Sequence, residues 1–593
     1  MIRTLRSRMQ SRLLFIPVTV LALLLSPHTR VALSAADGDL DSTFGVGGKV
    51  LTDFGNTFDI AEDVVVQPDG KFVVAGVHFP SAGADFALAR YNADGTLDTT
   101  FGTGGRVTTD FNGGADWARA MALQPDGKIV LAGDSTTPIS PTQQDFAVAR
   151  YNSDGTLDTT FGTGGKVLTD FGAQFFEGAF AVAIDSAGHI VVAGGTYNPA
   201  TQRDFAVIRY NADGSLDTTF DGDGRVTTPV SLTNFDIVAD VAIQADDRIV
   251  VVGFANSEIA TVRYDTGGAL DTTFGGTGIV LSTFGAVFSQ GNGVVIQPDG
   301  KVLVVGTTTV FGNGDFALLR YNTDGTPDAS FGSGGQVTTD FFANDSLTEV
   351  ALQADGKIVV TGRSVEPGSG ADDFAVARYE TDGTLDATFG VAGVVQTDMA
   401  GGSFDDARGI AIQADGKILV VGEIAFGSTI GAADFGIARY DGPPPHDVTF
   451  YLHANDVAGT AGGFTMNATA PSTQVLLTAS NSPSWFSEPV VNGTFLTGST
   501  FQVKLPCVLG VGFPKTVRLA STDSGGGNEQ VLGQAAVGIQ ICQSQTIAVP
   551  VTTPATVLQR RLKLTILSPL PISPPLILGG QTFVRGTNFV GAP

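Results

Sequence analysis

Cysteine, histidine and tryptophan are scarce, and positive charge is in deficit. The 593-residue chain has two cysteines, Cys507 and Cys542. That excludes a disulfide framework or a cysteine-rich metal fold over most of its length. In an exported protein the two would form one bond, which would stabilise its own domain by about 3–4 kcal/mol; a reactive thiol pair lacks the C-x-x-C spacing. Past residue 36 the histidines are His78, His189, His446 and His453, and none forms H-E-x-x-H or another metal spacing. No G-x-S-x-G nucleophile elbow stands out. Trp117 and Trp485 are the two tryptophans, and with nine tyrosines they argue against sugar binding by stacking. Lysine and arginine total 33 against 59 acids, so the chain repels phosphate backbones and nucleic acid is excluded as a natural partner. No segment keeps a 3.6-residue apolar period, so helices should be nearly absent.

One apolar run stands at the N-terminus. Arg3, Arg6, Arg8 and Arg12 precede Leu13–Leu25, and small residues follow at Ala32–Ala36. The run is shorter than the ~20 residues a membrane span needs, so residues 1–36 read as a cleaved secretory signal. Its removal leaves 28 bases against 59 acids. The expected location is secreted or cell-surface, outside a bacterial cell, with no transmembrane segment in the mature chain.

What is abundant is repetition. The phrase LDxTFG, or a close variant, starts at Leu40, Leu97, Leu157, Leu216, Leu270, Pro327 and Leu385. A repeat of about 57 residues returning this often fixes the architecture before any local reading. Each unit carries four short Val-, Ile- and Phe-rich segments bounded by Gly, Asp and Asn. In the first unit these are A (Lys49–Asp53), B (Glu62–Gln67), C (Lys71–Val77) and D (Asp85–Tyr91). B and C meet at a tight turn, Gln67–Gly70, which recurs at Gln124–Gly127, Gln297–Gly300, Gln353–Gly356 and Gln413–Gly416 and decays at Asp185–Gly188 and Gln244–Asp247.

These counts predict an all-β chain: a seven-bladed β-propeller of four-stranded blades over 37–441, a Pro-rich linker at 442–446, and a small β-sandwich over 447–551 stapled by Cys507–Cys542. Residues 552–593 read as a Pro-rich tail with a partial immunoglobulin-like segment. LDxTFG would form the joint from the outer rim of one blade to the inner strand of the next. No copy follows the last D segment, Asp434–Tyr440, so the copy at Leu40–Gly45 would close the ring from the front. A closed propeller of this kind is expected to be monomeric.

The unit DFAxARYNxDGTLDxTFGxGGxVxTDF…QPDGKIVVAG is similar to the bacterial delta-60 repeat over roughly Leu40–Tyr440. The resemblance implies an exported β-propeller and supplies no activity, cofactor or catalytic residue. The fourth unit departs most, with Glu258–Ile259 for Asp-Phe and Gln244–Asp247 at the turn.

The repeated residues read as structural. Phe44, Phe101, Phe161, Phe220, Phe274, Phe331 and Phe389 would plug seams between blades, at ~2 kcal/mol each. Arg90, Arg150, Arg209, Arg263, Arg320, Arg378 and Arg439 share a strand face with apolar neighbours and need an acid, Asp98 or Asp85 in the first unit. Asn92, Asp94 and Asp98 offer alternating oxygens as in a Ca²⁺ loop but lack its terminal Glu; Asx turns explain the same pattern. No other cofactor is expected.

Function is then sought where the copies disagree. The A–B and C–D loops share one face and vary, as at His78–Ala84, Asp134–Gln144, Gly195–Arg203, Arg363–Asp372, Glu423–Ala433 and Phe171–Gly178. The expectation is a non-catalytic binding or scaffold protein that takes an extracellular protein or glycan on that face. The alternative is an extracellular hydrolase or lyase with a carboxylate site in the propeller mouth.

Overall fold

The computed structural model describes residues 37–442, apart from short segments at 56–57, 81–82, 138–139, 173–176, 232–234, 286–287, 311–312, 342–343, 366–370, 402–403 and 426–432. Beyond 442 it describes the backbone of eleven strands between 448 and 591. The signal segment, Pro443–His446 of the linker, Cys507 and Cys542 lie outside the described residues. Among the described residues there is no helix, and so none long and apolar enough to cross a membrane.

Residues 49–440 fold as an all-β, propeller-like series of four-stranded sheets. After β1 (Lys49–Thr52), the first sheet runs in order β2 (Phe58–Val66), β3 (Phe72–Phe79), β4 (Asp85–Tyr91) and β5 (Arg106–Thr109), all antiparallel. Five more four-stranded sheets with the same connectivity fill residues 116–169, 178–228, 236–282, 288–339 and 346–397. Three strands remain at the end, Phe404–Ile412, Ile418–Ala425 and Ala433–Tyr440. β1 pairs along its whole length with the last of them, from Lys49 opposite Ala438 to Thr52 opposite Phe435. A single parallel bridge, Phe58 to Ala433, joins this group to the first sheet.

One expectation changes. LDxTFG lies between strands that pair with each other, as β4 pairs with β5. It therefore folds into a hairpin within one sheet, and the chain crosses to the next sheet between segments A and B. The reason is local. Asn92 N–H donates to the Thr96 carbonyl and Asp98 N–H to the Arg90 carbonyl, and these bonds turn the chain straight back along segment D.

The sheets are joined by apolar seams. Val73, Phe86, Leu88 and Phe101 of the first sheet pack on Ala118, Met121, Leu131 and Tyr151 of the second. The same kind of seam joins first and last: Val64, Phe72, Val74 and Tyr91 pack on Phe44, Leu419, Val421, Phe435 and Ile437. The first strand of each sheet also touches its counterparts on either side, including β2 against Phe404–Ile412. These inner strands run together down the middle.

Beyond the linker, nine strands pair into one sheet and two more into a ribbon. The sheet includes Ala555–Leu567, which pairs with Lys515–Thr522, and Phe583–Gly591, which pairs with Val491–Leu505. Pairing thus extends through residues read as a tail. The alternating run in Ala555–Leu567 has strand character, and the prolines at 569–575 interrupt it only afterwards.

Candidate functional site

The repeated residues meet on the hairpin side. Each arginine pairs with the aspartate of its own LDxTFG at 2.7–2.8 Å: Arg90 with Asp98, Arg150 with Asp158, and likewise through Arg439 with Asp41. Each guanidinium also lies 4.4–4.8 Å over the phenylalanine of the same phrase, a cation–π geometry. It then reaches the next sheet: Arg209 donates to the Thr266 carbonyl at 2.6 Å and Arg263 to the Thr323 carbonyl at 2.6 Å. The strands that follow the sheet of Arg378 end without another copy of the hairpin phrase, and there Arg378 takes Asp37 of the N-terminal segment at 2.9 Å. The phenylalanines are fully buried. Phe101 lies so close to Gly155 of the next sheet that a Cβ there would come within 2.9 Å of the ring, and Gly155 also holds φ +87°.

Asn92, Asp94 and Asp98 are held by protein groups. Asp94 Oδ1 accepts from Thr96 N–H and Oγ1–H at 2.9 and 2.7 Å. Asp98 accepts from Thr100 through one oxygen and from Lys71 and Arg90 through the other. Burial alone would raise the Asp98 carboxyl; these bonds outweigh it and hold the group well below the usual range.

Sequence reasoning passed over the tyrosine ending each segment D. Tyr91, Tyr151, Tyr264, Tyr379 and Tyr440 are fully buried, and their hydroxyls donate to Thr52, Thr109, Thr228, Thr339 and Thr397 on the outer strand of the preceding sheet, at 2.8–2.9 Å. The paired recurrence of Tyr in RY and Thr in VxTD was the available signal.

The crossover side is acidic. At five junctions three carboxylates bring oxygens within 4.8 Å of one another: Asp53, Asp59 and Asp434; Asp85, Asp110 and Asp116; Asp145, Asp170 and Glu177; Asp315, Asp340 and Asp345; and Asp373, Asp398 and Asp405. In each, a buried acid caps the crossover; in the fifth Asp373 is buried as well. Asp116 Oδ2 accepts the Phe111 N–H at 2.6 Å, and Asp405 Oδ2 the Met399 N–H at 2.6 Å. Burial pushes Asp116 up to about 6, helped by Asp110 and Asp85. These donor sets could hold a divalent cation.

The inner strands carry the non-repeated chemistry. All seven have a register shift at one place: Ala61/Asp63, Ala118/Ala120, Ala179/Ala181, Val238/Asp240, Gly291/Gly293, Leu347/Glu349 and Ala407/Gly409. A glycine in each segment C permits it. At Gly133, for example, a Cβ would come within 1.9 Å of the Trp117 carbonyl oxygen. The bulged residue varies from sheet to sheet, with six residue types over seven positions: Glu62, Arg119, Phe180, Ala239, Asn292, Thr348 and Arg408. Four of these link into one run. Arg408 pairs with Glu62 at 3.2 Å, Glu62 accepts the Trp117 indole N–H at 3.1 Å, and Arg119 lies 4.6 Å from the Trp117 ring and 5.5 Å from Phe180. Phe79 meets Trp117 edge-on at 5.2 Å, and Phe58 meets Phe79 at 5.3 Å.

The next residue along is Asp63, Asp240 or Glu349 in three sheets. Asp63 accepts the Met121 N–H at 2.7 Å and Asp240 the Val294 N–H at 2.8 Å, each from the neighbouring inner strand. Crowding by protein raises Asp63 to about 6. Burial also raises Asp240 and Glu349, and repulsion between the two raises Glu349 further.

The model of a family described as a domain of unknown function (DUF5122) beta-propeller matches residues 67–101, 124–161, 188–220, 244–274, 297–331 and 353–389. This is a β-propeller repeat protein. The six matches run from the B–C turn to the LDxTFG phenylalanine, the stretch that holds the arginine struts. No curated protein matches the propeller protein. Similar solved structures include a catalytically inactive virginiamycin B lyase from Staphylococcus aureus (11% identity, TM-score 0.40, covering 66% of this chain and 98% of that one). Others are Sqt1 from Chaetomium thermophilum (11%, 0.36, 66% and 98%) and the extracellular domains of Drosophila Semaphorin 1b (11%, 0.35, 69% and 88%). At these similarities none of their activities transfers.

Proposed function

We propose that the chain is an exported, non-catalytic binding or scaffold protein built on a closed seven-bladed propeller of the delta-60 kind, with β1 as the outer strand of the last blade. Its ligand, an extracellular protein or glycan, is taken on the crossover side and the adjoining inner strands. One observation carries this reading. The repeated Arg, Asp, Phe and Tyr are consumed in joining sheets on the hairpin side and outer strands. The side chains that differ from copy to copy meet on four neighbouring inner strands, from Arg408 through Glu62 and Trp117 to Arg119 and Phe180. A rigid scaffold with unlike groups at equivalent positions is how repeat folds build selective surfaces. Trp117 and the Phe58–Phe79 pair supply apolar area, and Arg119, Arg408 and Glu62 supply charged hydrogen-bonding groups.

A glycan and extracellular-protein array probed with the full chain tests this. Binding that falls at least tenfold in W117A and R119A supports it, and binding untouched by both places the site elsewhere. The hydrolase or lyase reading is favoured by a different feature, the raised carboxyls of Asp240 and Glu349 on the inner strands. Turnover in a polysaccharide-degradation screen that disappears in D240N or E349Q would establish that reading in place of the first.

A further inference from the structure

The inner strands begin alike. Asp59, Asp236, Ser289 and Asp405 hold equivalent places, each two residues before the register shift of its strand, and all four are fully buried. Side chains alternate along a strand, so the residue just before each is directed away from that buried contact. In these four sheets that residue is phenylalanine: Phe58, Phe235, Phe288 and Phe404. Phe404 is 51% exposed and Phe235 48%, and among the described residues they are the two exposed aromatic side chains. Phe58 and Phe288 are half-buried. Exposed aromatics are thus confined to one position of the repeat, at the crossover end of the strands that run down the middle. A recurring apolar position of this kind marks an interaction surface, where a single scattered side chain would not.

Neighbouring rings widen the collar. Phe58 meets Phe79 and, through it, Trp117. Phe288 lies 5.6 Å from Phe254 of the preceding sheet, and Arg203 lies 5.4 Å over Phe235. Outside the rings the side is acidic. Asp110, Asp170, Asp340 and Asp398 are exposed where outer strands end. The cations nearby are engaged: Arg119 with Asp134 at 3.3 Å, Arg363 with Asp372 at 3.0 Å, Arg408 with Glu62 at 3.2 Å, and Lys166 with the Asp110 carbonyl at 2.9 Å.

We propose that this phenylalanine collar docks a basic, apolar segment of a protein partner. Aliphatic or aromatic side chains would cover the phenylalanines, and lysine or arginine would face the carboxylates around them. The inference rests on the reading of the crossover side as the binding face, and it narrows the ligand to one class. Phenylalanine has no polar handle, so it suits apolar side chains better than the hydroxyl-rich surface of a sugar. The acids repel uronate and sulfate groups, and they equally repel a second copy of this chain. Protein interfaces place aromatics at the centre and charge at the rim, where it sets encounter rate and salt dependence.

Fluorescence anisotropy of the full chain with a short labelled peptide of alternating leucine and lysine is the test. Two companion peptides carry glutamate for lysine or serine for leucine. The leucine–lysine peptide should bind at least about tenfold more tightly than either companion, and more weakly as salt is raised. F235S and F404S change side chains already half exposed, and together they should weaken that binding by about tenfold with an unchanged far-UV circular dichroism spectrum. Failure of wild type to bind the leucine–lysine peptide overturns the inference, as does equal binding of all three peptides or binding untouched in the double variant. Self-association of wild type that disappears in the double variant, read by sedimentation, gives the collar to a second copy and overturns it too. An array ligand that is lost in W117A and R119A, with the leucine–lysine peptide ignored, overturns this inference and leaves the binding reading standing.

Discussion

The arginine struts give the sharpest energetic prediction. Arg150 and Asp158 are 5% and 6% exposed and 2.8 Å apart, and the guanidinium lies 4.6 Å over Phe161. Asp158→Leu leaves that guanidinium buried without its anion, a loss of about 3–5 kcal/mol. Lys128 also reaches Asp158, at 3.2 Å, but it is 31% exposed and its pairing contributes little. Replacing both partners, in R150M with D158L, removes the buried charge altogether. The double variant still loses the bond from Arg150 to the Ala212 carbonyl of the next sheet, worth about 1 kcal/mol. It should therefore be less destabilised than D158L alone by about 2 kcal/mol or more. Urea unfolding of the full chain, followed by far-UV circular dichroism, measures all three. A D158L cost below ~1 kcal/mol, or a double variant worse than the single, would refute the strut reasoning.

Phe161→Ala empties a fully buried seam position and should cost about 3–4 kcal/mol in the same assay, while Val46→Thr, at an 87% exposed site, should stay within about 0.5 kcal/mol of wild type. Gly133→Ala puts a methyl 1.9 Å from the Trp117 carbonyl, so it should unfold the second sheet or remove its bulge, read as lost protection of Asp116–Leu123 in hydrogen exchange. Asp41, Asp98, Asp158, Asp217, Asp271, Asp328 and Asp386 are all held below their ordinary range, because hydrogen bonds and ion pairs outweigh their burial. Their contribution is complete above the unfolded value near 4 and is lost as pH falls below it; an acid titration of the urea midpoint should show a cooperative decline there. Deleting residues 38–48 removes the Asp41 partner of Arg439 and the Phe44 ring, so the melting temperature should drop far more than for an ordinary terminal trim.

The all-β, repeat-built character of this chain was legible in its residues because the information is local. Short apolar runs, Asp-Gly turns and a recurring phrase act over a few residues, and each copy reports the same geometry. The arginine partner was narrowed to Asp98 or Asp85 by alternation along one strand; the hairpin geometry then selected Asp98. Strand phase was harder. LDxTFG reads equally well as a crossover or a hairpin until pairing partners are known, and pairing is a long-range property. The glycine of each segment C was visible, but its purpose depends on a carbonyl from another strand.

Tertiary structure alone decided which unlike residues become neighbours. Asp41 meets Arg439 across 398 positions, and Glu62 meets Arg408 across 346. No local pattern encodes such contacts, since they arise only when the sheets pack side by side and the first strand pairs with the last. The same packing gathered Glu62, Trp117 and Arg119 on adjacent inner strands. Trp117 looked incidental along the chain; its charged neighbours and the bulges of the inner strands give it its chemistry.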